Sequence, residues 1–159
     1  MRYLAIDLGD KRTGLALGDD QTRLVTPLDV LEVPISADEG QQLLRALTRA
    51  IDVHVGLSPR AAELVVGLPL NMDGTEGPRA KGVRAFAERI RAATGMTIHL
   101  HDERLTSAAA EWTLNQSGLT RDQKKRRRDA LAAAQLLRTF LNPDSGAPMN
   151  DDTDDDADE

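Results

Sequence analysis

The 159-residue chain has no cysteine and few aromatic side chains, with one Trp, one Tyr and two Phe. The lack of cysteine excludes disulfides, thiolate zinc sites and thiol catalysis. The scarcity of aromatics argues against reading nucleic-acid sequence by base stacking. No run approaches 18 apolar residues, and no signal-peptide pattern is visible. The sequence therefore predicts a cytoplasmic protein without a membrane span.

Charge is unevenly distributed along the chain. The formal net charge is −6, but residues 144–159 contain eight acidic and no basic side chains. Residues 1–143 contain 18 acidic and 20 basic residues, a charge of about +2. Because residues 144–159 have little to bury and repel one another, we predict an acidic disordered tail there, following one domain at 1–143. The overall acidity therefore does not exclude nucleic-acid binding by the domain.

Apolar runs and helical periodicity alternate along the domain, which predicts an α/β fold with a mixed sheet. Two apolar runs joined by a tight turn near the N-terminus predict an antiparallel hairpin. Ser36 and Glu39 match a capping box at the start of the first helix. The predicted strands are 3–8, 13–19, about 23–32, 63–68 and 97–101. The first two helices are predicted to begin at Ser36 and Pro78. A third is predicted to follow an N-cap at Thr106 and to run through Gln116, and the last to cover about 124–141.

Carboxylates stand at several predicted element ends. Asp7 closes the first strand, and Asp102 and Glu103 follow the last one. Asp129 begins an i, i+3, i+4 apolar stripe on the final helix, where an unpaired carboxylate is costly. Oxygen ligands of this kind suit Mg²⁺ or Mn²⁺, and two such ions can assist phosphodiester cleavage. The residues alone do not distinguish Asp102 from Glu103.

Each acid also has a purely structural interpretation. Asp7 could cap the hairpin turn, Asp102 and Glu103 could form a surface cluster, and Asp129 could interact with the helix dipole. Three acids converging from separate segments favour a metal site over these alternatives.

Basic residues are gathered near the same acids. A cluster of basic side chains around an acidic pocket suits a polyanionic substrate whose scissile phosphate lies at the metals. A solvated helix face is the alternative for the run before Asp129. The basic residues in question are Lys11, Arg12, Arg79, Lys81, Arg104, Arg121 and Lys124 to Arg128.

Four segments, in order, resemble the YqgF family of RuvC-like proteins, described both as Holliday-junction resolvases and as pre-16S rRNA nucleases. They span nearly all of the domain, and the arginine-rich last segment and the acidic tail depart from the family pattern. The segments are AIDLGDKRTGLALGD at 5–19, VVGLPLNMDGTEGPRA at 65–80, HDERLTSAAAE at 101–111 and KKRRRDALAAAQLLRTFL at 124–141.

The resemblance implies an RNase H-like fold, with a five-stranded mixed sheet flanked by helices on both faces. It implies that Asp7, Glu103 and Asp129 are the catalytic and metal-binding acids, with Glu103 preferred over Asp102. The residues expected to bind substrate are Lys11, Arg12, Asn71, Arg79, Arg104, Lys125 and Arg126.

The implied activity is metal-dependent nuclease chemistry with Mg²⁺ or Mn²⁺. The implied task is 5′-end processing of pre-16S rRNA in ribosome biogenesis, with Holliday-junction resolution in DNA recombination as the alternative. Expected partners are structured RNA or branched DNA and pre-ribosomal particles, bound by a monomer or weak homodimer. A nucleotide-clamping protein of the actin and sugar-kinase type, which needs two such domains, and a non-catalytic scaffold are the competing classes.

Overall fold

A computed structural model of the chain describes residues 1–105 and 120–143. The predicted helix at 106–116 and the acidic tail lie outside these residues. Five strands and three helices are described, which confirms the predicted α/β class. The strands are β1 (Arg2–Leu8), β2 (Thr13–Asp19), β3 (Val25–Leu31), β4 (Glu63–Leu68) and β5 (Ile98–Asp102), and the helices are α1 (Gln41–His54), α2 (Pro78–Thr94) and α3 (Arg121–Leu141).

The strands form one mixed sheet in the order β3-β2-β1-β4-β5. β1 pairs antiparallel with β2, and β2 with β3, as the predicted hairpin requires. β1, β4 and β5 run parallel to one another. Their carboxyl ends therefore meet at one edge of the sheet, where such folds commonly place their ligands.

Helices cover both faces of the sheet. Leu4 and Ile6 of β1 pack in one cluster with α1 and α2, whereas Ala5 packs in a second cluster with α3. Because successive strand residues point to opposite faces, Asp7 lies on the α3 face. None of the described helices has the length and apolar character needed to cross a membrane.

The predicted start of α1 is wrong. Ser36 makes no capping hydrogen bond, Asp38 and Glu39 both have φ of 51°, and α1 begins at Gln41 after Gly40, which has φ of 82°. The chain thus makes a left-handed turn before the helix, so the capping-box geometry cannot form.

A capping box instead begins α3, three residues before the predicted start of that helix. The Thr120 hydroxyl accepts a hydrogen bond from the Gln123 amide at 3.3 Å, and the Gln123 side chain accepts one from the Thr120 amide at 3.0 Å.

Candidate active site

Two glycines make room around Asp7. Its partner on β2 is Gly14, and continuing the β1–β4 register places Gly67 on its other side. A side chain at Gly14 would collide with the backbone carbonyl of Asp129. Glycine there lets α3 lie directly against β2, which brings Asp129 to the end of the strand that carries Asp7.

Glu103 reaches the same place from the end of β5. Its carboxylate is hydrogen-bonded to that of Asp7. A Cβ on Gly67 would lie 3.4 Å from Glu103 Oε1, so the absence of a side chain at Gly67 leaves space for this carboxylate. A hydrogen bond between two carboxyl groups requires that one of them keep a proton.

The pKa of Asp7 is raised to about 9. Burial is the largest cause, followed by the hydrogen bond and charge of Glu103 and then the charge of Asp129, while Arg79 opposes the shift. Burial and the neighbouring carboxylates thus oppose the ionisation of Asp7, an effect that a bound cation would relieve.

Asp129 is held by a basic residue that we expected to bind substrate. Arg12 Nε lies 2.8 Å from Asp129 Oδ2, and both side chains are about one-third exposed. Within residues 1–105 and 120–143, no three His, Cys, Asp or Glu side chains are arranged to hold an ion as they stand. The structure therefore brings Asp7 and Glu103 into contact, with Asp129 nearby but paired to Arg12.

Asp102 faces away from this pair. Arg104 Nη2 donates to Asp102 Oδ2 at 2.6 Å, and this hydrogen bond is the main reason that the pKa of Asp102 is lowered. Arg104 Nη1 also donates to the carbonyls of Asn71 and Met72, at 3.3 and 3.1 Å. Arg104 thus links the end of β5 to the loop that follows β4.

The remaining predicted substrate-binding residues are spread around the site. Asn71 is engaged inside its own loop, where its side-chain amide donates to Thr75 Oγ1 at 3.0 Å. Arg79 is exposed in the first turn of α2, close enough to Asp7 to affect its pKa.

The other bases are less closely associated with the acids. Lys11 and Lys125 are exposed. Arg126 Nε lies 3.4 Å from Glu32 Oε1, which places it beside the end of β3. Arg126 thus lies one helical turn before Asp129 but forms its ion pair with Glu32.

Sequence reasoning missed Gly14 and Gly67 as residues that make space for the site. Their signal is a glycine inside an otherwise apolar strand, which often marks a close approach of backbone. The pairing of Arg12 with Asp129, 117 residues apart, had no such signal.

A mixed five-stranded sheet with acids at the ends of β1 and β5 and on a helix packed across the sheet defines the RNase H-like nuclease class. The chain belongs to the RuvX family: the family model described as "RuvX: Holliday junction resolvase" matches residues 1–143. This confirms the resemblance inferred from the four segments and makes the protein an enzyme that hydrolyses phosphodiester bonds.

Two relatives illustrate the similarity in sequence. A protein of Anaeromyxobacter sp. (strain Fw109-5), named "Putative pre-16S rRNA nuclease", is 42% identical over 146 residues, covering 89% of this chain and 97% of its own. A protein of Opitutus terrae (strain DSM 11246 / JCM 15787 / PB90-1) with the same name is 39% identical over 150 residues, covering 94% and 97%.

Solved structures confirm the RNase H-like fold. The fowlpox virus Holliday junction resolvase matches with a TM-score of 0.54 at 13% identity, covering 90% of this chain and 99% of its own. Thermus thermophilus RuvC in complex with a Holliday junction substrate matches with a TM-score of 0.50 at 17% identity, covering 92% and 96%.

Proposed function

We propose that this chain cleaves structured RNA at the site formed by Asp7, Glu103 and Asp129, and that its task is processing the 5′ end of pre-16S rRNA in ribosome biogenesis. The observation that carries the catalytic part is the half-buried Asp7–Glu103 pair with Asp129 beside it. The choice of RNA follows the names of relatives at 42% and 39% identity over most of their length.

RuvC-like nucleases generally use divalent metals, and the donors here fit Mg²⁺ or Mn²⁺ because all are carboxylate oxygens. Asp7 and Glu103 would hold the metal, and Asp129 would join them once its carboxylate leaves Arg12. When bound, such an ion lowers the pKa of a coordinated water and stabilises charge on the leaving oxygen.

The chain's own side chains supply the rest of the chemistry. Burial of Asp7 excludes bulk water from one side of the pair, which strengthens its attraction for cations. Exposed Lys11 and Arg79 attract the phosphates that flank the reacting one. Arg104 holds Asp102 and the loop between β4 and α2 in place, so it acts as a positioning residue.

The test compares wild type, Asp7→Asn and Asp102→Asn on pre-16S rRNA 5′-leader RNA, with Mg²⁺, Mn²⁺ or EDTA. We expect divalent-dependent cleavage that Asp7→Asn abolishes. Asp102→Asn is the matched control, since its carboxylate faces Arg104, and it should keep most of the activity. Cleavage by wild type in EDTA, or full activity of Asp7→Asn, would reject the proposed site.

A Holliday-junction resolvase is the second candidate function, favoured by the description of the matching family. The same assay with a four-way DNA junction separates the two. Faster cutting of the junction than of the RNA, with symmetric nicks in two strands, would favour the resolvase. Because paired nicks need two active sites, sedimentation of the protein on the junction should then show a dimer.

We further propose that residues 1–143 form the nuclease domain and that 144–159 are a dispensable acidic tail of a cytoplasmic protein. We propose that it acts on pre-ribosomal particles as a monomer or weak homodimer. The family match ends at residue 143, which supports this boundary. Truncation after Pro143 should leave metal-dependent cleavage within about twofold of wild type, a change typical of residues outside a folded core.

A further inference from the structure

Met72 is unusually exposed for a large apolar residue. Its side chain is 92% exposed, compared with 75% for Val53 and 71% for Leu24. A single exposed apolar side chain is ordinary on a protein surface. Met72 differs in two ways. Its loop is held in one conformation by hydrogen bonds, and that loop is attached to the end of β5, next to Glu103.

The β4–α2 loop, residues 69–77, is held by its own hydrogen bonds. The Gly74 amide donates to the Asn71 carbonyl at 2.9 Å, which closes a turn with Met72 at its first corner. The Thr75 amide and hydroxyl both donate to Asp73 Oδ1, at 3.0 and 2.6 Å. Met72 therefore projects from an ordered turn.

The same loop is fastened beside the catalytic acids. Arg104 bonds the carbonyls of Asn71 and Met72 on one side and Asp102 on the other, next to Glu103 in the chain. The carboxyl ends of β4 and β5, which are neighbouring parallel strands, both lie at this edge of the sheet. The turn and the Asp7–Glu103 pair therefore lie at the same edge of the sheet, and Arg104 links the turn to the end of β5.

The described aromatic rings are not available to contact bases at this edge. Phe86 is buried, and the rings of Tyr3 and Phe140 pack against each other at 5.4 Å. A methionine side chain is flexible and polarisable, and nucleic-acid-binding proteins use such side chains as wedges between base steps.

We propose that Met72 is an apolar wedge that inserts between neighbouring bases beside the cleaved phosphodiester, so that the enzyme selects sites where base stacking is already weakened. This inference rests on the proposed nuclease function. The substrate feature it assigns is a bulge, junction or loop rather than a continuous duplex, because opening an intact stack costs more.

The test uses 2-aminopurine, a base analogue whose fluorescence rises when it unstacks, placed next to the mapped cleavage site in a bulged RNA duplex. Wild type, Met72→Ala, Met72→Leu and the matched surface control Val53→Ala are compared for binding fluorescence in EDTA and for cleavage in Mg²⁺. A fully paired duplex of the same sequence is the reference substrate.

We expect wild type to raise the fluorescence and Met72→Ala not to. Met72→Ala should lower kcat/KM on the bulged duplex about tenfold, the effect of losing one base contact. Met72→Leu should restore both signals, and Val53→Ala should match wild type. The salt dependence of binding should stay the same, because no phosphate contact is lost.

Equal fluorescence and cleavage for Met72→Ala and wild type would overturn the wedge while leaving the nuclease function intact. If wild type cleaves neither RNA nor the DNA junction, the proposed function fails, and the wedge fails with it. Weaker association of Met72→Ala with pre-ribosomal particles but unchanged action on naked RNA would also overturn it, since Met72 would then contact a protein.

Discussion

The two faces of the sheet are built from side chains of different size. Toward α1 and α2 the strands present large aliphatic residues such as Leu4, Ile6 and Leu64. Toward α3, β2 presents only Gly14, Ala16 and Gly18. The first face buries more apolar surface per residue, and the second lets a helix backbone approach the strands closely. Stability is thus concentrated on one face and the acids on the other.

Among changes to the packing of the two faces, Gly14→Ala should have the largest effect on cleavage, because it acts on the face with the acids. The added methyl group collides with the Asp129 carbonyl and pushes α3 outward. We expect cleavage to fall about 100-fold, as when a catalytic group is misplaced by about 1 Å. Overpacking should also lower the free energy of unfolding by about 1–3 kcal/mol. Cleavage is measured as kcat/KM, and the free energy of unfolding is measured by urea titration.

Gly82→Ala is the matched control for that change. Gly82 lies on the exposed side of α2, and no atom stands near the position of an added Cβ. Alanine there should stabilise the helix by about 0.5–1 kcal/mol and leave cleavage unchanged. A similar loss of activity in both variants would mean that close approach at Gly14 is not what matters.

Leu64→Ala tests the opposite face. Leu64 is fully buried against α1 and α2. The resulting cavity should lower the free energy of unfolding by about 2–5 kcal/mol. Well below the new melting temperature, cleavage per folded molecule should stay within about threefold of wild type, since the α3 face is untouched. A collapse of kcat with retained folding would show that the two faces are coupled.

Asp7→Asn should stabilise the protein in EDTA. Because the pKa of folded Asp7 is about 9, against about 4 when unfolded, its contribution to stability is fully present only below pH 4 and is lost as the pH rises toward 9. The variant should therefore gain on the order of 2 kcal/mol over wild type at pH 8 and much less at pH 5, by urea titration.

Asp102→Asn should behave in the opposite way. Arg104 lowers the pKa of Asp102, so this carboxylate stabilises the fold above its unfolded pKa, and that stabilisation is lost as the pH falls through its folded pKa. The variant should be slightly less stable than wild type at pH 8, with the difference vanishing in acid. If both variants changed the free energy of unfolding at pH 8 in the same direction, Asp7 and Asp102 would not lie in opposite electrostatic environments.

Arg12→Gln should give the smallest effect. The ion pair with Asp129 is partly exposed, so its loss should cost below about 1 kcal/mol of unfolding free energy. Removing the competing guanidinium should tighten Mn²⁺ binding about threefold, measured by calorimetry. Weaker Mn²⁺ binding would mean that Arg12 orients Asp129 for the metal instead of competing with it.

Much of the fold could be predicted because the strands are short apolar runs between glycine or proline turns. The buried side of α3 was less predictable. The predicted stripe runs from Asp129 through Ala132, Ala133, Leu136, Leu137 and Phe140. Ala133, Leu136 and Leu137 are buried as predicted, but Ala130, Ala134 and Leu141 are buried in place of Ala132 and Phe140. Neighbouring stripes of this helix are almost equally apolar, and the small residues of β2 decide which one packs inward. Asp129 therefore lies at the margin of the buried face.

The acids of the candidate site could be predicted from the sequence, but the side chains that each of them contacts could not. Strand ends and helical spacing indicate Asp7 and Asp129, whereas the partners of Arg12 and Arg104 depend on side-chain directions across distant segments. Local patterns carry no information about such directions. The residue pattern alone did not distinguish Asp102 from Glu103, and the family resemblance preferred Glu103; in the structure Glu103 contacts Asp7, whereas Asp102 contacts Arg104.

The docking of α3 on β2 also bears on when the enzyme becomes active during synthesis. β1 leaves the ribosome first, but Asp129 lies on the last helix of the domain. Domains fold as units as they are made, and this one lacks its third acid until α3 has emerged and packed against Gly14. On the proposed assignment of the three acids, a growing chain therefore has no complete site until α3 has been made and has packed.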